Sequence, residues 1–313
     1  MIEPFNNKDN LDSNNLIYNS IHKKNTTYWK MLILLIVLII IMIVLGIIII
    51  IISLSDFEDN KIVIECEYEI DEPKVTKLLS NEFNISNIIF SIYIGKKNNE
   101  GEPKLKQINK NNTYYFSEAG TYEINFVFKT QMNIAKMFKD IDSLVKVNIS
   151  SDKGIYNYSL YQAFSGCKNL IDFYSNINGT NNIDMSYMFY NCTKLSKVEF
   201  INSINMPNNL EHMFDNCNNL TTLTLNNGLN TSNVTNMSYM FSDCHSINSL
   251  NLSFFNISKV NDTSYMFANC TSLNNSTLLF PEINVSKVKI DEMFKGWKNE
   301  SLPEWYKEFN NSI

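Results

Sequence analysis

Five cysteines recur at nearly constant intervals in the second half of the chain, and their spacing bears on several kinds of chemistry. They are Cys167, Cys192, Cys217, Cys244 and Cys270, which lie 25 to 27 residues apart. If each interval is one turn of a stacked repeat, the cysteines form a column with neighbours about 5 Å apart. Such a column packs as small buried thiols, or its neighbours join in disulfides and leave one of the five unpaired. Cysteines at this spacing, without a Cys-x-x-Cys pair, do not make the usual zinc ligand set, so we predict no metal.

The histidines and carboxylates do not converge on a catalytic group. The chain has three histidines, His22, His212 and His245. Cys244 and His245 are neighbours, and neighbouring residues of a helix point in different directions, so they do not form a nucleophile and base pair. The sequence has no glycine-rich phosphate loop, nucleophile elbow or zinc-protease helix. We therefore expect no enzymatic activity, no cofactor and no small-molecule substrate.

The overall charge argues against a nucleic-acid partner. Lysine and arginine number 26 against 32 aspartate and glutamate residues, which gives a net charge of −6. Nucleic-acid-binding domains concentrate basic residues on one face or in one run, and no dense basic run occurs here. We therefore predict no nucleic-acid binding.

The cysteines belong to a repeat that aligns on one phenylalanine. The aligned positions are Phe138, Phe164, Phe189, Phe214, Phe241, Phe267 and Phe294, at spacings of 26, 25, 25, 27, 26 and 27 residues. In the copy MSYMFSDC at 237–244, apolar residues follow the i, i+3, i+4, i+7 pattern that is typical of one face of a helix. The alternation that follows each such segment, as in LTTLTL at 220–225, predicts a short strand. A unit of this kind cannot bury its apolar face alone, so the copies are expected to stack into a solenoid with a parallel sheet on one wall and helices on the other.

The repeat resembles a known family. Its MSYMF-x-x-C-x-x-L segments and its Asn-x-Ser-x-Val returns, over about 133–300, are similar to the BspA-type leucine-rich repeats of bacterial, mycoplasmal and protist surface proteins. This resemblance implies an α/β leucine-rich-repeat solenoid that adheres to host, matrix or neighbouring-cell proteins. The first and last copies depart from the pattern, with Ile141 and Trp297 at the cysteine position.

A long apolar segment near the N-terminus predicts a membrane anchor. Residues 31–52 read MLILLIVLIIIMIVLGIIIIII without a charge, and as a helix they would extend about 33 Å, the thickness of a bilayer core. Three lysines precede the segment within residues 23–30, whereas three acidic residues follow it within residues 56–59. By the positive-inside rule, we expect a single-pass type II protein of the plasma membrane or cell surface, with its C-terminal domain extracellular or lumenal.

Between this segment and the repeats, the hydrophobic period is two. Residues 62–70, 90–94 and 122–128 alternate between apolar and polar side chains, which predicts a small all-β module of several strands. The predicted division of the chain is a disordered cytoplasmic tail at 1–30, a transmembrane signal-anchor helix at 31–53, the small β module at 57–131, seven leucine-rich repeats at 132–300 and a C-terminal cap at 301–313.

Asparagine is unusually frequent in Asn-x-Ser/Thr sequons, of which residues 54–313 contain nineteen. Short polar side chains also cap turns and helix starts, so part of this excess belongs to the repeat itself. If the domain is lumenal, we expect some sequons to be glycosylated. The candidates are Asn84, Asn111, Asn148, Asn157, Asn178, Asn230, Asn251, Asn256, Asn284 and Asn299.

These features predict a membrane-anchored surface protein whose leucine-rich solenoid mediates protein binding or adhesion. The expected partners are the membrane and an extracellular or host protein. The expected ligand face consists of the outward positions of the strands: Thr222, Thr224, Asn226, Asn248, Ser249, Asn251 and Ser253. The alternative is a glycan-coated structural protein of a surface or organelle lumen that has no specific ligand.

Overall fold

The structure is a computed structural model of the 313-residue chain. It describes residues 30–31, 34–45, 47, 62–83, 90–97, 103–106, 108, 111–128, 133–151, 155–156, 159–177, 179–180, 183–202, 204–205, 207–225, 229–284 and 286–311. The chain divides into two compact units, Met1–Asp59 and Asn60–Ile313. In the first unit, the described residues at 30–31, 34–45 and 47 are helical.

The predicted transmembrane helix is not supported by the structure. A bilayer core is about 30 Å thick, and within the described part of the chain no helix has the length and hydropathy needed to cross one. This finding contradicts the transmembrane anchor at 31–53 and the type II plasma-membrane or cell-surface placement derived from it. Residues 1–29, 32–33, 46 and 48–53 of those predictions lie outside the described residues.

The second unit begins with antiparallel strands. They are β1 (Ile62–Ile70), β2 (Lys74–Lys77), β3 (Phe90–Lys96), β4 (Lys104–Lys106), β5 (Thr113–Phe116) and β6 (Gly120–Phe128). The alternation along β1 places every second side chain in the core, from Ile62 to Ile70, as a half-buried strand requires. β6 pairs with both β1 and β3, and β2 and β5 form a separate two-stranded sheet.

The repeats contribute shorter strands, most of them parallel to one another. They are β7 (Leu144–Ser151), β8 (Ile155–Tyr156), β9 (Asp172–Asn176), β10 (Gly179–Thr180), β11 (Ile183–Asp184), β12 (Lys197–Phe200), β13 (Ile204–Asn205), β14 (Pro207–Asn209), β15 (Thr222–Thr224), β16 (Leu229–Asn230), β17 (Leu250–Asn251) and β18 (Leu278–Leu279). Strands one repeat apart stack side by side, as β9 does on β12 and β10 does on β13. Isolated parallel bridges join Asn209, Asn236, Asp262 and Lys289 in the same way.

One sheet joins the module to the repeats. Its strand order is β15-β12-β9-β7-β1-β6-β3-β4, and β1 pairs antiparallel with β7, the first strand of the repeat region. β1 is therefore a central strand, with a module strand on one side and a repeat strand on the other.

The repeat region is a β-solenoid of about five turns, so the prediction of an α/β leucine-rich-repeat fold is wrong. The segments expected to be helices are successive turns. In each of the seven copies, two residues four apart have a positive φ between 49° and 81°, for example Tyr187 with Asn191 and Tyr239 with Asp243. A right-handed helix cannot pass through such a left-handed residue, so the apolar spacing that resembles a helix face is produced by a different backbone.

The backbone hydrogen bonds of these segments explain why the turns replace a helix. The N–H groups of Lys136, Phe138 and Asp140 donate to carbonyl oxygens of the next repeat at 2.8 to 2.9 Å. The intervening N–H groups donate to carbonyls three residues earlier, as Met137 does to Ile134 at 2.9 Å. About half of the amides therefore tie one turn of the solenoid to the next, whereas an α-helix would use them within the segment.

The aligned phenylalanines form the centre of the core. The seven rings stack in register, with centroids 5.4 to 5.9 Å apart and interplanar angles of 2° to 18°. One continuous apolar cluster runs from Ile62 in β1 to Tyr306 near the C-terminus, so the module and the solenoid share a core.

The C-terminal end of the solenoid is covered. A 3₁₀ turn at Asn299–Ser301 leads into helix α1 at Glu304–Asn311. The rings of Trp305 and Tyr306 pack against Phe294, the last ring of the stack, at 5.9 and 4.9 Å. These aromatic side chains shield the last core layer from solvent.

Candidate ligand-binding face

The predicted ligand face is divided between two sheets. Thr222 and Thr224 lie on β15, which ends the eight-stranded sheet, and Thr222 is exposed. Asn251 lies on β17, which pairs with β18 in a separate sheet. Its Oδ1 accepts hydrogen bonds from the N–H and the hydroxyl of Ser253 at 3.1 and 2.8 Å, so the two side chains satisfy each other in a turn. Asn248 and Ser249 are exposed in the preceding loop, and Asn226 lies outside the described residues.

The eight-stranded sheet has a groove on its polar face, nearer the module than Thr222 and Thr224 are. A solvent-open groove of about 760 Å³ crosses β6, β1, β7, β9 and β12. Strand register arranges its polar side chains in two rows. The first row consists of Glu123, Glu67, Lys146, Asp172 and Lys197, and the second consists of Asn125, Glu65, Asn148, Tyr174 and Glu199. Thr222 and Thr224 continue these rows on β15, opposite Lys197 and Glu199.

Lysine and carboxylate side chains pair along the groove. Lys146 lies 3.5 Å from Asp172, and Lys197 lies 3.1 Å from Glu199 on the same strand. At the groove's rim, Lys97 donates a hydrogen bond of 2.6 Å to Glu67, and this bond is the main cause of a raised pKa for the Lys97 ammonium. Five carboxylates against two lysines give the groove lining a formal charge of −3, which Lys97 reduces to −2.

The negative charge is concentrated at the module end of the groove. Glu65, Glu67 and Glu123 lie there on β1 and β6, whereas the lysine pairs balance the solenoid end. Asn148 Nδ2 donates a hydrogen bond of 2.7 Å to Glu65, and this bond fixes the carboxylate at the groove wall. The opposite atom of that amide, Asn148 Oδ1, is buried and forms no hydrogen bond.

Sequence reasoning missed this groove, although the sequence does indicate the polar residues on one of its strands. The alternation of β1 places Glu65 and Glu67 on the solvent face of a half-buried strand. The groove also requires the pairing of β1 with β7, which brings Lys146 and Asn148 beside these two glutamates. No local sequence pattern specifies that pairing.

The five repeat cysteines form a buried column and act as hydrogen-bond donors. Each thiol points at the carbonyl oxygen of the aligned phenylalanine one repeat earlier, at 2.9 to 3.2 Å. Burial raises the pKa of each thiol, which keeps it protonated and able to donate. All six cysteines of the chain, including Cys66, are free.

The two histidines of the repeats also have structural partners. His212 stacks between Tyr187 and Tyr239 at 4.6 and 4.4 Å, and its Nδ1 lies 2.6 Å from Asp215 Oδ2. His245 Nδ1 lies 2.8 Å from the Asn269 carbonyl oxygen. Within the described residues no group of histidine, cysteine and carboxylate side chains is arranged to hold a metal ion.

Several glycosylation candidates serve as turn residues. Asn230, Asn251, Asn256 and Asn284 each accept, through Oδ1, the backbone N–H of the residue two positions later, at 3.0 to 3.2 Å. The sequon pattern therefore coincides with the Asx turn of the solenoid corners. Asn111 and Asn299 are described, and Asn84, Asn157 and Asn178 lie outside the described residues.

Comparison with known proteins places the repeats in a family. A family model described as "Mycoplasma protein of unknown function, DUF285" matches residues 105–227 and 183–305. No curated protein and no solved structure matches the chain. The two matched segments together extend from the module to the C-terminal cap and cover more than half of the sequence. The chain therefore belongs to the DUF285 family of mycoplasma proteins, a family associated with BspA-like surface proteins.

Proposed function

We propose that this chain is a protein-binding solenoid, and that the groove on its eight-stranded sheet holds an extended segment of a partner protein. The observation that carries the proposal is the continuity of the polar face across five strands, from β6 to β12. A repeat fold of this kind offers an elongated surface suited to a large ligand. The association of the chain's family with BspA-like surface proteins supports the same function.

The chemistry of the groove favours a peptide over a small molecule. Most of its lining residues carry charged or amide side chains, and it is open to solvent, whereas small-molecule sites are enclosed and mostly apolar. An extended polypeptide presents alternating side chains and backbone amides, both of which can exchange hydrogen bonds with these polar rows.

The test uses the purified full chain and a phage-displayed library of random twelve-residue peptides. Enriched peptides are synthesised and titrated against the protein and against the double variant Lys146→Glu/Lys197→Glu. We expect saturable binding whose affinity changes at least tenfold in the variant, because both substitutions reverse charges within the groove. The matched control is Lys287→Glu/Lys298→Glu, which changes the charge equally at exposed positions far along the solenoid.

Thermal melts of both variants establish that the fold is intact. If no peptide binds saturably, or if the two double variants change the affinity equally, the protein-binding proposal is refuted. The alternative of a structural protein without a specific ligand would then take its place.

A further inference from the structure

Strand β2 of the module has one paired edge and one unpaired edge. β2 pairs with β5, and within the described residues the two strands form a sheet of their own. In the same register, the N–H of Leu78 donates to the Asn112 carbonyl oxygen at 2.8 Å. Successive residues of a strand turn their backbone groups to opposite edges, so the N–H and C=O groups of Val75 and Lys77 point away from β5.

A groove runs along this unpaired edge. A cavity of about 320 Å³, open to solvent, is lined by all four residues of β2 and by residues 140–143 of the first repeat, but by none of β5. A second cavity of about 300 Å³ adjoins it and shares Lys74 and residues 142–143 of its lining. Within the described part of the chain, the outward backbone groups of Val75 and Lys77 form no hydrogen bond. We call this feature the edge groove.

The outer face of the sheet beside the edge groove is apolar. Val75 is 60% exposed, and Tyr115, which lies opposite it on β5, is 57% exposed. Side chains of a strand alternate between the two faces of a sheet, and cross-strand neighbours on one face contact each other. A strand added to β2 would therefore place every second side chain on this face, beside Val75.

We propose that the unpaired edge of β2 binds an extended segment of a partner protein as a third strand, with an apolar side chain of that segment packed on Val75 and Tyr115. In this mode of recognition, main-chain hydrogen bonds supply affinity and alternate side chains supply specificity. The site shares no lining residue with the groove on the eight-stranded sheet and does not depend on the function proposed for that groove.

The surroundings of the edge favour a partner segment over a second copy of this chain. Residues 140–143 form the far wall of the edge groove, so a single extended chain fits beside β2 better than a strand that carries a folded domain with it. Pairing of β2 with β2 of a second copy would also bring together the lysines at both ends of the strand, and lysines on edge strands discourage such pairing.

The probe is a fluorescein-labelled nonapeptide of alternating valine and serine, measured by fluorescence anisotropy with the full chain. Two further peptides are N-methylated, one on its valines and the other on its serines, so that each lacks the N–H groups of one edge. Only one edge of an added strand pairs with β2. We therefore expect one methylated peptide to bind about tenfold or more weakly than the unmodified peptide, and the other to bind within about threefold of it. Equal binding of the two methylated peptides overturns the proposal.

The variants Val75→Pro and Val75→Thr locate the binding. Val75→Pro removes an N–H that faces the edge groove, and proline is tolerated on edge strands where the N–H points outward. It should weaken binding of the unmodified peptide about tenfold. Val75→Thr is the matched control, because it keeps the N–H and the branched shape, and it should weaken binding by less than about threefold. Equal losses in the two variants overturn the proposal. If Val75→Pro does not fold in thermal melts, the two methylated peptides still decide.

The remaining outcomes identify other occupants. If sedimentation of the full chain alone shows a dimer that Val75→Pro dissociates, a second copy occupies the edge and the proposal is overturned. If the valine–serine peptide loses affinity in Lys146→Glu/Lys197→Glu and keeps it in Val75→Pro, it binds the groove of the eight-stranded sheet; the edge site is then wrong and the proposed function stands. If it responds only to Val75→Pro, the edge site stands whatever the peptide library shows for that groove.

Discussion

The left-handed turns of the solenoid can be tested by replacing one residue with glycine and with alanine. In a left-handed turn the glycine variant is the more stable of the two, whereas in an α-helix the alanine variant is. Gln162 has a φ of 53°, and its backbone N–H donates to the Ser186 carbonyl oxygen of the next repeat at 3.1 Å. A left-handed conformation costs a residue with a Cβ about 1–2 kcal/mol, whereas glycine gives up about 0.5–1 kcal/mol of extra chain entropy. Gln162→Gly should therefore be more stable than Gln162→Ala by about 0.5–1 kcal/mol.

In the α-helix predicted from the repeat pattern, alanine would instead be favoured over glycine by about 1 kcal/mol. The measurement is urea denaturation of the full-length variants, followed by circular dichroism and compared at equal m-values. Lys168 is the control, because it lies exposed in the same repeat without a positive φ, and there the alanine variant should be at least as stable as the glycine variant. Greater stability of Gln162→Ala than of Gln162→Gly would refute the turn conformation.

Three further predictions concern single interactions. Cys217→Ala should lower the free energy of unfolding by about 2 kcal/mol, because it removes a hydrogen bond and leaves a small cavity. Cys217→Ser retains a hydrogen-bond donor and should lower the free energy of unfolding by less. The reverse order in urea denaturation would show that the thiol only fills space. Trp297→Phe keeps an aromatic ring but loses the indole N–H, so unfolding should require about 1 kcal/mol less, and an unchanged melting temperature would argue against that hydrogen bond. Hydrogen bonds from Lys136 and Lys139 lower the pKa of Glu82 from 4.5 to about 2, so their contribution to stability is present above pH 4.5 and is lost as the pH falls towards 2. Melting curves of Glu82→Gln should accordingly be less sensitive to pH in that interval than those of the unmodified chain.

The sequence predicts the period of the repeat correctly but not the conformation of its most regular segment. Spacing at i, i+3, i+4 and i+7 places apolar side chains on one side of a helix, and the solenoid turns bury the same positions with a different backbone. The distinguishing signal is present two residues after each aligned phenylalanine. That position holds Asp140, Gly166, Asn191, Asn216, Asp243, Asn269 or Gly296. Glycine, asparagine and aspartate are the residues that most readily adopt a positive φ, so their recurrence there predicts a turn.

The groove shows a different limit of sequence reasoning. The polar face of β1 follows from its alternation, as does that of β12. Which strands become neighbours is decided by how the module packs on the first repeat, and that packing depends on a shared core of residues distant in the sequence. The predicted face at Thr222 and Thr224 lies on the same sheet, two strands beyond the Lys146 and Asp172 pair, because strand periodicity specifies a face but not a position along it.

One hydrogen bond, from the cysteine position to the carbonyl oxygen of the aligned phenylalanine one repeat earlier, also explains the two copies that lack the cysteine. In the other five copies, the cysteine thiol donates to the carbonyl oxygen of the aligned phenylalanine one repeat earlier. No copy precedes the first one, so no such donor is needed there. Ile141 therefore fills the position with a buried apolar side chain. In the last copy, the Trp297 indole N–H donates to the Phe267 carbonyl oxygen at 2.8 Å while its ring packs on Phe294 at 5.0 Å.

Trp297 thus continues the donor column and widens the final core layer, which α1 then covers. The module occupies the opposite end, where β1 pairs with β7. Since both ends of the stack are covered, further repeats or a second copy cannot be added there without displacing a packed element. A partner bound as proposed would therefore approach from the side, where the polar rows of the eight-stranded sheet and their groove are open to solvent.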